Sequence, residues 1–169
     1  MLKWLWLSLL VILADQFSKQ AALQFLVQYE PVALLPYFNL SLTFNEGAAF
    51  SFLSQAGGWQ RWFLSGLAIA ISVFILVWLK TLDAQEKSMA CGLALVLGGA
   101  IGNVIDRILY GKVTDFIDWY YHSSDACLPF FYRLNEATCH WPTFNLADSA
   151  IFLGVVLILL QILSQKQPV

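Results

Sequence analysis

The sequence predicts an all-α membrane protein of four transmembrane helices, with a small sheet resting at the membrane surface. Of its 169 residues, 59% are hydrophobic and only 12% are charged, whereas a soluble domain has about 45–50% apolar and about 25% charged residues. Four apolar stretches, near 4–24, 62–79, 88–109 and 146–163, approach the ~20 residues a helix needs to cross ~30 Å of hydrocarbon. Trp4, Trp6, Trp59, Trp62, Trp78, Trp119 and Trp141 fall at or near the ends of these stretches, where interfacial aromatic belts form. The length allows one domain, 1–169. A net charge of -2 without any basic run excludes nucleic acid as a partner.

The first stretch, with Lys3 before a long apolar run, resembles a secretory signal. No A-x-A site precedes Asp15 and the apolar pattern resumes after Lys19, so the sequence predicts a retained span. Asp15 and Lys19 stand i, i+4 on one helix face and can pair. Such charges inside a bilayer cost roughly 2.5–3.5 kcal/mol each on insertion scales and are a functional hint; a structural ion pair is the plainer reading. In segment 25–61, the run from Phe38 alternates apolar and polar residues as a strand does. Asn45-Glu46-Gly47 reads as a turn, with Ala48 to Leu53 returning as a second strand.

Residues 80–87 form a short polar turn between spans two and three. Four spans return both termini to one side. Lys3, Lys80, Lys87 and Lys166 on that side balance Arg61, Arg107, Lys112 and Arg133 near the other, so the positive-inside rule assigns no orientation. The third stretch contains Gly98-x-x-x-Gly102, a spacing that lets another helix approach closely. Asn103 and Asp106 share a face one turn on, where a packing seam with an ionic anchor is the plain reading, and Arg107 can reach the interface. Gly111 ends the helix. The fourth stretch opens with Asn145 as its N-cap.

Two aspartates meet this picture at the same edge. Asp115 lies just past span three, in Val113-Thr114-Asp115-Phe116, and Asp148 lies in the first turn of span four, in Phe144-Asn145-Leu146-Ala147-Asp148-Ser149. Singly, Asp115 reads as a solvated loop residue and Asp148 as a charge on a helix N-terminus, worth about 0.3–1 kcal/mol. Together they fit a catalytic dyad. Close carboxylates cannot both ionise, so one acts as base on a shared water while the other donates a hydrogen bond to a scissile carbonyl. A small transporter could also use Asp15, Lys19, Asp106 and Arg107, and an assembly factor would need only the glycines and aromatics. Neither accounts for paired aspartates at one edge.

The stretches Asp15-Gln16-x-Ser18-Lys19, Phe44-Asn45-Glu46-Gly47-Ala48-Ala49-Phe50-Ser51, Gly98-Gly99-Ala100-x-Gly102-Asn103-x-x-Asp106-Arg107, and the segments around Asp115 and Asp148 together resemble the lipoprotein signal peptidases (signal peptidase II), in family order and over nearly the whole chain. The resemblance implies an aspartic endopeptidase of the bacterial inner membrane with four transmembrane helices, a small periplasmic β-cradle and a periplasmic helical lid between spans three and four. It implies cytoplasmic termini, periplasmic segments 25–61 and 110–145, and a cytoplasmic segment 80–87. The implied substrates are diacylglyceryl-modified prolipoproteins, cut before the lipidated cysteine by a monomer lying in membrane lipid, with no metal or organic cofactor. By the same match, Asp115 and Asp148 are the catalytic pair. Asp15, Lys19, Asn45, Gly47, Asn103, Asp106, Arg107, Asn145 and Ala147 correspond to supporting and substrate-contacting positions.

The segment between Asp115 and Asp148 is longer than the resemblance leads one to expect and carries Cys127, Cys139, His122 and His140. An oxidising periplasm favours a Cys127–Cys139 disulfide, with Cys91 left as a free buried thiol. A zinc site built with the histidines is the rival reading and lacks the usual C-x₂₋₄-C spacing.

Overall fold

A computed structural model describes residues 1–47 and 58–165. After a short 3₁₀ turn at Leu2–Trp4, the chain forms α1 (Leu5–Phe25), β1 (Val32–Leu35), β2 (Phe38–Asn45), α2 (Gln60–Thr81), α3 (Lys87–Tyr110), β3 (Val113–His122), β4 (Tyr132–Asn135), β5 (Thr138–His140) and α4 (Leu146–Gln165).

α3 is the central helix and packs against α1, α2 and α4. Its small residues make that approach possible. A Cβ on Gly98 would meet Ser8 O and Val11 of α1 at 2.8 Å, and one on Gly99 would overlap Ala147 O of α4. Adjacent glycines thus open α3 to two different neighbours, a wider use than a single G-x-x-x-G seam. One apolar core, of Ile75, Leu79, Met89, Ala90, Leu93 and Leu97, ties α2 to the first half of α3. A second, of Ala22, Leu42 and Phe116, ties the end of α1 to the sheet. The polar site lies between them. The outer helix faces carry exposed Phe17, Phe63, Phe74, Phe152 and Leu160, an apolar surface too large for water.

α2, α3 and α4 are each long and apolar enough to cross a membrane. α1 matches them in length at 21 residues, but Asp15, Gln16, Ser18, Lys19 and Gln20 interrupt its apolar run.

The all-α expectation needs correction, because a five-stranded antiparallel sheet of order β1-β2-β3-β5-β4 caps one end of the helices. β2 covers the alternating run from Phe38, and Asn45 ends it at a bend. The expected return strand at 48–53 lies outside the described residues. The expected helical lid is also corrected: the described chain between α3 and α4 forms β3, β4 and β5. The cause is legible in the residues of β3, which are rich in β-branched and aromatic side chains. Cys127 and Cys139 are disulfide-bonded, Cα to Cα 5.6 Å, tying the β4–β5 hairpin to the loop before it; Cys91 is free and half-buried.

Candidate active site

Three local devices bring distant residues to the junction of helices and sheet. Gly111 ends α3 in the left-handed region at φ 75°, its N–H bonded to Arg107 O, so the chain turns straight into β3. β3 pairs with β2 in a register that sets Asp115 opposite Thr43 and Val113 opposite Asn45. Phe144 then bridges to Ile117, its N–H bonded to Ile117 O and its carbonyl accepting from Phe116 N and Ile117 N. That bridge fixes where α4 begins relative to Asp115.

At the start of α4, Asn145 caps the helix as the sequence indicates. Asn145 Oδ1 accepts from Asp148 N at 2.9 Å, and Asp148 Oδ2 accepts from Asn145 N at 3.3 Å, a reciprocal capping box. The same Asn145 side chain donates from Nδ2 to Asp115 Oδ1 at 2.7 Å and to Asn103 Oδ1 at 3.1 Å. One buried amide therefore touches both carboxyl-bearing segments. Asn103 Nδ2 donates to Asp148 Oδ1 at 2.7 Å.

Beneath this pair lies an ionic layer. Lys19 Nζ stands 2.9 Å from Asp15 Oδ2, 3.3 Å from Asp106 Oδ2 and 2.9 Å from Asn103 Oδ1, with Lys19 itself 1% exposed. Asp15 Oδ1 accepts from Ala147 N at 3.0 Å, and Asp106 Oδ2 accepts from Thr114 N at 2.9 Å. Each acid of the layer therefore grips the backbone beside one upper aspartate: Ala147 precedes Asp148, and Thr114 precedes Asp115. The plain reading of Asp106 as an ionic anchor agrees with these contacts, which add that it anchors Lys19 and the Thr114 backbone. The reading of Asp115 as a solvated loop residue is corrected, since it is 2% exposed within β3. Gly102 belongs here too, because a Cβ there would meet Asp15 Oδ2 at 2.6 Å.

Arg107 turns inward rather than out to the interface. Its Nη2 donates to Gly47 O at 3.2 Å, while Gly47 N donates to Asn45 Oδ1 at 3.0 Å. Arg107 Nε is buried without a hydrogen-bond partner among the described residues. Sequence reasoning missed Gln16 as a site residue, although it falls inside a quoted stretch. Its Nε2 donates to Asp106 Oδ1 at 3.0 Å and to Asp15 Oδ2 and Gly102 O, both at 3.2 Å. No periodicity singles it out.

Electrostatics separate Asp115 from the rest. Burial, and then the neighbouring Asp148 carboxylate, push the Asp115 carboxyl up to about 8, against the opposing pull of hydrogen bonds from Asn145 and Asn45 and the Lys19 charge.

Among the described residues, the histidines are not part of any cluster that could hold a metal ion. His140 Nδ1 lies 2.8 Å from Asp118 Oδ1 and Nε2 lies 3.1 Å from Thr138 Oγ1, so both ring nitrogens are engaged, and Cys127 and Cys139 bond each other. This buried polar pair serves the β3–β5 pairing, with Tyr120 stacked on the imidazole at 5.4 Å.

The family model for Signal peptidase (SPase) II matches residues 7–164. A lipoprotein signal peptidase of Alteromonas mediterranea is 43% identical over 159 residues, 94% of this chain and 79% of that one. One from Pseudoalteromonas translucida is 46% identical over 167 residues, 99% of this chain and 92% of that one. A bacterial membrane enzyme solved by the in meso method superposes with a TM-score of 0.76 at 27% identity, covering 100% of this chain and 95% of that one. A second gives a TM-score of 0.74 at 28% identity, covering 99% and 96%. With the match running from α1 through α4, this chain belongs to the signal peptidase II family of lipoprotein-processing membrane proteases.

Proposed function

We propose that the chain is an aspartic endopeptidase that removes the signal peptide from diacylglyceryl-modified prolipoproteins, cutting before the lipidated cysteine, with Asp115 and Asp148 as its catalytic pair. The observation that carries the reading is the Asn145 bridge: its Nδ2 holds Asp115 at 2.7 Å while its Oδ1 holds Asp148 N at 2.9 Å. The two carboxyls are thereby kept apart in role but close enough to interact, and Asp115 is raised to about 8 partly by the Asp148 charge.

In the resting enzyme Asp115 keeps its proton at neutral pH and Asp148 carries the charge. A water between them is deprotonated by Asp148 and attacks the scissile carbonyl carbon. Asp115 donates its hydrogen bond to the carbonyl oxygen as negative charge develops there. The proton gained by Asp148 then passes to the departing amine as the tetrahedral intermediate collapses. Asn103 and Asn145 orient the pair, and Asp15, Lys19 and Asp106 hold the backbone beneath it. Asn45, Gly47 and Arg107 line the substrate side, with Arg107 Nε a buried donor that has no partner among the described residues. Ala147 contributes through its N–H to Asp15.

α1 joins α2, α3 and α4 as a fourth span of a monomeric inner-membrane enzyme. Its termini are cytoplasmic, and its sheet and aspartates face the periplasm. In α1 the charges of Asp15 and Lys19 are neutralised internally by the contacts that make the site, so they do not face lipid.

The test is cleavage of a diacylglyceryl-modified prolipoprotein in detergent by Asp115→Asn and Asp148→Asn. Each should lose at least about 10²–10⁴-fold in rate while keeping a cooperative thermal transition. Near wild-type cleavage by either folded variant would overturn the assignment.

A further inference from the structure

Beside the catalytic site, and outside its machinery, a cavity of about 200 Å³ opens between the start of α2 and the end of α3, lined by Glu46, Gly58, Gln60, Arg61, Gly111 and Lys112. Two cations meet there. The Arg61 guanidinium lies over Gly111, Nη1 3.0 Å from where a Cβ would stand, so the bare backbone at the α3 terminus is what admits it. Arg61 also rests 4.9 Å from the Trp62 ring centroid, and Lys112 Nζ lies 3.6 Å over the Phe44 ring. The ion pairs among the described residues involve Lys19 and His140, so neither Arg61 nor Lys112 is neutralised by a carboxylate, and Glu46 supplies the one acid of the wall. No side chain caps the N-terminus of α2, whose positive end faces the same side. Around the cavity, Trp59, Trp62, Phe63, Ile108 and Leu109 are exposed, an apolar and aromatic rim of the kind that sits at the edge of the hydrocarbon.

We propose that this cavity seats the phosphodiester headgroup of an anionic phospholipid, with its acyl chains on the apolar rim. Arg presents a planar fork matched to phosphate oxygens and Lys a point charge, and basic pockets between membrane helices are suited to anionic headgroups. A bound lipid would brace the α2–α3 junction next to Gly47, whose carbonyl holds Arg107.

The experiment measures the Tm of the purified full chain in detergent on titration with phosphatidylglycerol, with phosphatidylcholine of the same acyl chains, or with inorganic phosphate. Wild type should be stabilised by phosphatidylglycerol well beyond phosphatidylcholine, with inorganic phosphate ineffective at the same concentration. The Arg61→Gln, Lys112→Gln double variant should need at least tenfold more phosphatidylglycerol for half the effect. Glu46→Gln, which removes the one acid from the wall, should need less, and this arm stands even if the double variant folds poorly. Equal stabilisation by the two lipids, an equal effect of inorganic phosphate, or an unchanged response in both variants would overturn the proposal.

Discussion

At the scale of single residues, Asp115 makes the sharpest prediction because its carboxyl is raised to about 8 from an ordinary value near ~4. The folded state then binds one more proton than the unfolded chain between those limits, so stability must fall as pH rises from ~4 to about 8. The catalytic consequence has the same sign: if Asp115 works protonated, kcat/KM falls on an alkaline limb near pH 8. Asn145 opposes the shift by donating to Asp115. Asn145→Ala should therefore move the limb to higher pH while lowering the rate at neutral pH. A pH–rate profile checks both, and a limb that moves down contradicts the role given to Asn145. Lys19 makes a second prediction. It is buried between Asp15 and Asp106, and removing one partner of a buried ion pair costs about 3–5 kcal/mol. Lys19→Met should lower Tm strongly, and removing the two carboxylates left without their cation, by Asp15→Asn and Asp106→Asn in the same chain, should recover part of the loss. Differential scanning calorimetry in detergent decides it.

At the scale of elements, α3 organises the molecule by packing Met89, Leu93 and Leu97 against α2 and presenting glycines where α1 and α4 approach closely. Gly99 faces the first turn of α4, where an added Cβ would overlap Ala147 O. Since Ala147 N holds Asp15 and Asp148 follows it, displacing α4 there moves the aspartate itself. Gly99→Ala should thus cost about 1–3 kcal/mol through overpacking and reduce cleavage beyond what the lost stability explains. Gly66 in α2 has nothing within 4 Å of its added Cβ, so Gly66→Ala should leave Tm and activity at wild-type levels. Paired Tm and rate measurements on the two variants separate close helix approach from a general intolerance of alanine.

At the scale of the whole molecule, the polar site sits where the helices meet the sheet, and the apolar helix faces exclude water below it. The proposed orientation puts the sheet outside the inner membrane and the α2–α3 connection inside. A cysteine introduced at Glu136 should react with a membrane-impermeant maleimide in intact spheroplasts, and one at Asp83 only after lysis. Both positions are exposed, so reversal of that pattern would invert the topology.

Much of this was legible in the chain itself. The apolar stretches, the Gly111 stop and the Asn145 cap depend on local periodicity and local hydrogen bonding, which a sequence states directly. Asp15 and Lys19 were recognisable because charge inside an apolar run is costly and therefore informative; Asp115 and Asp148 stood out as two carboxylates at one edge, and the asparagines as site residues only through the family resemblance. What only the tertiary structure decided was how those residues divide the work. Asp106 reads locally as an ionic anchor, and the fold supplies what it anchors, Lys19 and Thr114 N; Arg107 reads as an interfacial cation, yet it reaches Gly47 O; Gln16 gives no signal, yet it donates to two acids. The segment before α4 was expected as a helical lid and is strand, because β3 pairs with both β2 and β5. Pairing partners lie far apart in the chain, and strand propensity depends on the neighbours that cover each face. The sequence determined which residues lipid cannot tolerate and where its helices begin and end. The fold decided which of those residues meet, because a buried charge is stabilised only by partners that tertiary packing delivers.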